Sequence, residues 1–166
     1  MEILYNNIAI RYGNKEDALN AMRSSATDLV AKNMQLWPLD RLNGDIFKGL
    51  LSDEIITAYL NNTLAAGMLL QREDKEFWSN VGSNTLRFIH KLAVMKDFKG
   101  KGIGKYMIEI AKQICVTESV EYLRLDCAGD RVKLCEFYED AGFMKVETKI
   151  VGKYLTAFYE MRLTNR

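Results

Sequence analysis

From Thr85 to Cys127 the apolar pattern changes period twice, and this constrains the chain more than any other feature of it. Thr85-Leu86-Arg87-Phe88-Ile89-His90-Lys91-Leu92-Ala93-Val94 reads as a strand, and Gly100 to Gly104 then punctuates the chain. Ile103, Tyr106, Met107, Ile110, Ala111 and Ile114 recur on one face of a helix, and Tyr122-Leu123-Arg124-Leu125-Asp126-Cys127 returns to a strand pattern. Strand, helix, strand in this order predicts a parallel pair joined by a right-handed crossover. The alternation of the first strand breaks at Leu92-Ala93-Val94, where a bulge is expected.

The flanking segments extend one sheet. Ile8-Ala9-Ile10-Arg11 is a short strand, and Asn14 can cap a helix whose first turn carries Glu16 and Asp17. Leu19, Met22, Ala26, Leu29 and Val30 place an apolar stripe on that helix through about Asn33, before Leu36-Trp37-Pro38 interrupts it. A second short helix is expected over Leu42 to Leu51. Glu54 to Leu60 and Thr63 to Gln71 flank Asn61-Asn62, a hairpin signal because Asn tolerates positive φ. Arg72 to Asn84 is a polar connection. Asp130 can cap a helix with Leu134, Phe137, Tyr138 and Ala141 on its apolar face and Gly142 as its stop. Two last strands, about Phe143 to Ile150 and Tyr154 to Arg162, meet across Gly152. The expectation is a mixed α/β fold around one sheet.

Composition narrows the function classes. With 166 residues, 48% apolar and 27% charged, the chain is expected to form one domain over residues 1–166 that needs neither disulfide nor metal for its core. Its 23 Lys+Arg against 22 Asp+Glu leave a net charge of +1, which favours neither nucleic acid nor an anionic membrane as partner. Cys115, Cys127 and Cys135 are odd in number and widely spaced, with no CxxC. No signal-like start and no apolar run of about 20 residues is present, so a reducing, cytoplasmic setting is expected. Met22, Met68 and Met107 read as core.

Lys99-Gly100-Lys101-Gly102-Ile103-Gly104-Lys105 opens the central helix. A helix N-terminus offers unbonded N–H groups and partial positive charge, and glycine lets that backbone approach a phosphate. Two phosphate-loop patterns fail on register. A Walker A loop would need Gly at Lys99 and a hydroxyl at Tyr106, and a dinucleotide fingerprint would need Gly at Lys105 or Met107. A turn that merely reverses the chain remains the other reading of the glycines.

The order of strand, Leu92-Ala93-Val94, basic loop, glycine turn, helix, strand, Phe137-Tyr138 and Gly142-Phe143 resembles the GNAT superfamily of acetyl-CoA-dependent N-acetyltransferases. The family's acyl-CoA signature is Arg or Gln, two residues, Gly, one residue, then Gly or Ala. Lys99-Gly100-Lys101-Gly102-Ile103-Gly104 fits it except at the first position, where Lys stands. The likeness covers nearly the whole chain in element order, and Arg87 to Val146 in motif terms. It implies a three-layer domain with a mostly antiparallel central sheet, one parallel pair that splays, and flanking helices. It further implies that amides of Lys99, Gly100, Lys101, Gly102, Ile103 and Gly104 hold the CoA pyrophosphate and that the main chain at Leu92 and Val94 pairs with the pantetheine arm. Arg131 stands where the family often has Asn, and can reach a phosphate instead.

Acetyl transfer needs a neutral amine, stabilisation of the thioester oxygen and a proton for the leaving thiolate. A backbone N–H near Leu92-Ala93-Val94 can serve the oxygen. The family places a proton-donating Tyr at Tyr138, whose spacing alone also suits a core aromatic beside Phe137. His90, the single histidine, lies two residues before the expected bulge and can take a proton, as can Asp126 at the end of the next strand; each also has a structural reading. Trp37, Trp78 and the turn at Gly152 border the acceptor side by the resemblance, with plain packing as the alternative. Cys127 and Cys135 read as apolar core.

Acetyl-CoA and an amine acceptor are therefore the expected partners, with no metal. A non-catalytic acyl-CoA-binding sensor or interaction module is the reading from another class. An RNA site built on Lys96, Lys99, Lys101 and Lys105 is weaker, because such lysine runs are usually solvated faces. Many relatives in the family dimerise, so a homodimer is compatible with the resemblance.

Overall fold

A computed structural model describes residues 7–34, 37–74 and 85–163. Its elements run β1 (Ile8–Tyr12), α1 (Lys15–Ala31), β2 (Ile55–Leu60), β3 (Thr63–Gln71), β4 (Leu86–Val94), α2 (Ile103–Thr117), β5 (Tyr122–Ala128), α3 (Val132–Asp140), β6 (Met144–Val151) and β7 (Tyr154–Arg162). The seven strands follow the sheet order β1-β2-β3-β4-β5-β7-β6. Among the described residues, no helix is long and apolar enough to cross a membrane.

The chain groups into two compact units, Met1–Leu70 with Lys91–Glu109 and Gln71–His90 with Ile110–Arg166. In the first unit, β1 pairs antiparallel with β2, and β2 with β3. The hairpin turns through Asn61 and Asn62 at φ 50° and 66°, the left-handed pair its sequence predicts. Ala18, Ala21, Met22 and Ala26 of α1 pack with Leu42, Phe47, Ile55, Leu69 and Ala93. Small residues let the helix sit close: a Cβ at Gly67 of β3 would fall 3.2 Å from Ala18 Cα. Asn14 caps α1 as expected, its Oδ1 accepting the Asp17 N–H at 3.0 Å. Val30, placed on the core stripe by spacing, faces solvent instead.

The helix expected over Leu42 to Leu51 does not form. The segment holds one short 3-10 turn at Gly44–Phe47, flanked by others at Leu39–Arg41 and Ser52–Glu54. Asn43 Oδ1 caps the Gly44–Phe47 turn by taking the Asp45 N–H at 2.8 Å, but the chain turns extended at Lys48 and goes no further as helix.

In the second unit, β4 and β5 are parallel, as the crossover rule requires, and β7 pairs antiparallel with β5 and β6. The β4–β5 pairing covers Leu86–Phe88 against Tyr122–Arg124 and stops there, although β5 runs on to Ala128. Arg87 is buried in this unit and pairs with Glu118 just past α2, 2.5 Å apart. The α3 cap differs from expectation. Asp130 lies in the preceding turn, and Arg131 takes the N-cap position without a side-chain cap bond.

Candidate active site

In the first unit the site begins where β4 kinks. Lys91 has φ 52°, a left-handed strand residue of the kind that marks a bulge, one position ahead of the predicted break. Its ammonium lies 5.5 Å from the ring centroid of Trp37, which is partly buried against the α1 core. Beyond the kink, Ala93 is buried while Leu92 and Val94 on either side of it are only partly so. The Met95 N–H then returns to the Ala65 carbonyl of β3 at 2.8 Å.

A 3-10 turn at Lys96–Phe98 leads into the glycine loop. Gly100 and Gly102 have φ 76° and 84°, a conformation costly for any residue with a Cβ, and nothing lies within 4 Å of where those Cβ atoms would stand. Backbone angle, rather than crowding, therefore selects glycine here. The first bond into α2 runs from the Tyr106 N–H to the Gly102 carbonyl at 3.0 Å, so the N–H groups of the preceding turn have no acceptor inside the helix. Two contacts tie this loop to α1: the Lys96 N–H donates to Ser24 Oγ at 3.1 Å, and Lys99 Nζ to Asp28 Oδ2 at 2.9 Å. Of the three lysine ammonium groups in the loop, that of Lys99 is thus committed to a carboxylate. Lys101 Nζ rests 5.6 Å from the Phe98 ring centroid, and Lys105 is exposed.

The second unit holds the titratable groups. His90 Nε2 lies 3.0 Å from Asp74 Oδ2, and Asp126 completes a group whose donor atoms all fall within 4.8 Å of one another. The Asp74 side chain is 4% exposed. Phe88 stacks on the His90 ring at 6.5 Å and 26°. Such spacing suits a shared cation as well as an acid–base group, and His90 Nε2 approaches Asp74 Oδ2 at ion-pair distance without hydrogen-bond geometry. His90 and Asp126 were both legible in the sequence. Asp74 was missed, because it follows β3 in a polar connection with no pattern and reaches His90 only through the fold.

Tyr138 is 8% exposed, ringed by Phe137, Phe143 and Tyr159 at centroid distances of 5.2, 6.0 and 6.3 Å. Burial pushes its hydroxyl well above the ordinary phenol range, with Cys127 and Asp126 adding to the rise. Its proton is therefore retained at any physiological pH. Cys127 and Cys135 are free thiols 3.9 Å apart, and burial raises Cys127 strongly, which fits core residues better than nucleophiles. Arg131 is partly buried at the start of α3. Trp78 lies outside the described residues.

Comparison with known proteins decides the family. The sequence pattern of the Acetyltransferase (GNAT) family matches residues 25–143, well over half of the chain. The chain belongs to the GNAT acetyltransferase family. A Bacillus subtilis (strain 168) relative described as the uncharacterized N-acetyltransferase YesJ is 30% identical over 82 residues, 49% of this chain and 46% of the relative, so the match spans less than half of that protein. A GNAT acetyltransferase from Listeria monocytogenes 4b F2365 superposes with a TM-score of 0.72 at 21% identity, over 94% of this chain and 95% of that one. The Salmonella typhimurium acetyltransferase yncA, solved with acetyl-CoA, gives 0.67 at 14% identity over 97% and 96%. These likenesses establish the GNAT fold, with its parallel β4–β5 pair inside a mostly antiparallel sheet.

Proposed function

We propose that this GNAT protein moves the acetyl group of acetyl-CoA to a primary amine by direct attack in a ternary complex. The observation that carries the reading is the pair Gly100 and Gly102 at positive φ ahead of α2, with open space where their Cβ atoms would stand. The amides of Lys99 to Gly104 hold the pyrophosphate there, Lys101 and Arg131 add charge toward the phosphates, and the main chain of Leu92 and Val94 pairs with the pantetheine arm. An N–H at Leu92-Ala93-Val94, beside the kink at Lys91, stabilises the thioester oxygen. Support for acetyl-CoA as the donor comes also from yncA, which was solved with it as cofactor.

In the chemical step, His90 or Asp126 takes the proton of the entering ammonium, and the freed lone pair attacks the thioester carbon. The C–S bond breaks as the tetrahedral centre collapses, and the nitrogen gives its second proton to solvent, leaving a neutral amide and the CoA thiolate. Tyr138, protonated because burial disfavours its anion, donates to the departing sulfur. Expulsion of the thiolate needs only a hydrogen-bond donor in place, since a thiolate is a good leaving group near neutral pH.

The test is free-thiol release from acetyl-CoA over a panel of 1,4-diaminobutane, alaninamide and kanamycin, with the acetylated product read by mass spectrometry. Turnover with one of these amines is the expected result. Tight acetyl-CoA binding with no thiol released across an extended panel would instead favour a non-catalytic acyl-CoA-binding module.

A further inference from the structure

We propose that Asp74, His90 and Asp126 form a binding site for one divalent transition-metal ion of the Zn²⁺ class, held by His90 Nε2 and one oxygen of each carboxylate. The proposal goes beyond the function set out above, and the site stands whether or not that function does.

The three residues come from the segment after β3, from β4 and from β5, and their donor atoms lie within 4.8 Å of one another. His90 Nε2 stands 3.0 Å from Asp74 Oδ2, yet that buried oxygen accepts no hydrogen bond from it. Two atoms this close that share no hydrogen suit ligands of a common ion, whose lone pairs converge on a point beside the line joining them. Zinc holds nitrogen and oxygen at about 2.0 to 2.2 Å, so two ligands at a right angle stand about 3.0 Å apart and two at the tetrahedral angle about 3.4 Å. The His90–Asp74 separation falls at the short end of that range. Asp126 closes on the same point by a small turn about its side-chain bonds.

Burial and donor chemistry select the ion. The Asp74 side chain is 4% exposed and that of His90 20%. Carboxylates brought together out of water repel each other, and a divalent ion offsets both charges at once. The imidazole nitrogen favours a transition ion over Mg²⁺ or Ca²⁺, which prefer oxygen ligands throughout. Phe88 stacks on the His90 ring, and β4 kinks at Lys91 directly after it, so the nitrogen is presented from a supported ring whose exposed edge gives the ion a way in. These are also the groups offered to the acceptor ammonium, so a bound ion and the amine exclude each other. That last consequence rests on the proposed function.

His90 is the single histidine of the chain, so the ¹⁵N imidazole spectrum of untagged, uniformly labelled protein reports this ring alone. Zinc chloride added to the unmutated protein should shift the ring nitrogens and saturate at one equivalent, with calorimetry giving the same stoichiometry. Asp74→Asn and Asp126→Asn, each shown to be folded by its melt without zinc, should weaken binding tenfold or more, and His90→Gln should abolish it. The double variant Cys127→Ala, Cys135→Ala should bind zinc as the unmutated protein does. Ring resonances that ignore zinc would overturn the proposal. Unchanged affinity in both Asn variants would leave a lone histidine holding the ion and overturn it too, and binding lost in the cysteine variant would give the ion to the thiols with the same result. With whichever panel amine turns over, zinc should raise the KM of the amine and leave kcat unchanged. Acetyl transfer failing with every amine would sink the function reading, while the zinc titration would still decide the site.

Discussion

Lys99 Nζ donates to Asp28 Oδ2 at 2.9 Å, so the ammonium that opens the glycine loop is turned onto the last turn of α1. Lys32 Nζ reaches the same oxygen at 3.1 Å. Lys99 first, and Lys32 after it, hold the Asp28 carboxyl below its ordinary value of 3.8. A depressed folded-state value stabilises the protein above the unfolded value, and that contribution fades as pH falls through the folded one. Lys99→Met should therefore lower Tm at pH 5 to 7, with the deficit shrinking below pH 3.8. If Lys99 is structural in this way, calorimetry should find CoA affinity changed by less than about threefold.

The loop backbone should be far less tolerant. Gly102 sits at φ 84° with open space around a would-be Cβ, so Gly102→Ala meets no clash but must hold a left-handed conformation. The expected cost is about 1 kcal/mol of stability, read by urea denaturation. CoA binding should weaken by tenfold or more, because relaxation of φ turns the amides away from the diphosphate. Unchanged affinity would place the diphosphate elsewhere.

The contrast between these two positions shows what the sequence could convey. Periodicity and glycine spacing are local signals, and they located β4, the loop, α2 and β5, together with His90 and Asp126 on neighbouring strands. Lys99 as an α1 anchor was not legible, since Asp28 reads as one more charge on a solvated helix face. Asp74 was hidden for the same reason: its partner is 16 positions away in the chain, and only the fold joins them. Apolar content misled at Leu42 to Leu51, where the turn that Asn43 caps ends at the extended Lys48. Asp130 looked like a cap because the residue type suits one, yet the chain turns helical one residue later than that role requires.

Arg87 shows a different kind of dependence. Its side chain is 2% exposed and its guanidinium meets Glu118, which is 33% exposed. Removing the carboxylate leaves a buried charge short of compensation, so Glu118→Ala should cost about 3 kcal/mol, the low end for a buried pair because Glu118 is partly solvated. Arg87→Met keeps the volume and removes the charge, and should cost less. Chemical denaturation of the two variants checks the order, and a larger loss in Arg87→Met would contradict it.

Tyr138→Phe keeps the ring among Phe137, Phe143 and Tyr159 and deletes only the hydroxyl. Tm should move by no more than a few degrees. On the proposed mechanism kcat should fall at least tenfold with acetyl-CoA affinity unchanged. Because burial raises this hydroxyl, it stays protonated past the ordinary phenol value of 10.0, and the kcat–pH profile should show no loss from Tyr138 ionisation below pH 10. A kcat equal to that of the unmutated enzyme would remove Tyr138 from the chemistry.

Alkaline stability follows from the buried thiols and phenols of the second unit. Burial pushes the Cys115 thiol from 9.0 up to about 12. A raised value means the folded state holds its proton where the unfolded chain has lost it, so the stabilising contribution is complete below pH 9 and declines between pH 9 and 12. Tyr159 is raised in the same direction, first by burial and then by its hydrogen bond to Glu139, and extends the decline to higher pH. Thermal melts from pH 7 to 12 should therefore be flat to about 9 and fall steeply beyond it. Cys115→Ala should start lower, because it leaves a cavity in the α2 face, yet fall less steeply over the same interval. Parallel curves for the two proteins would show that Cys115 ionisation does not drive the alkaline transition.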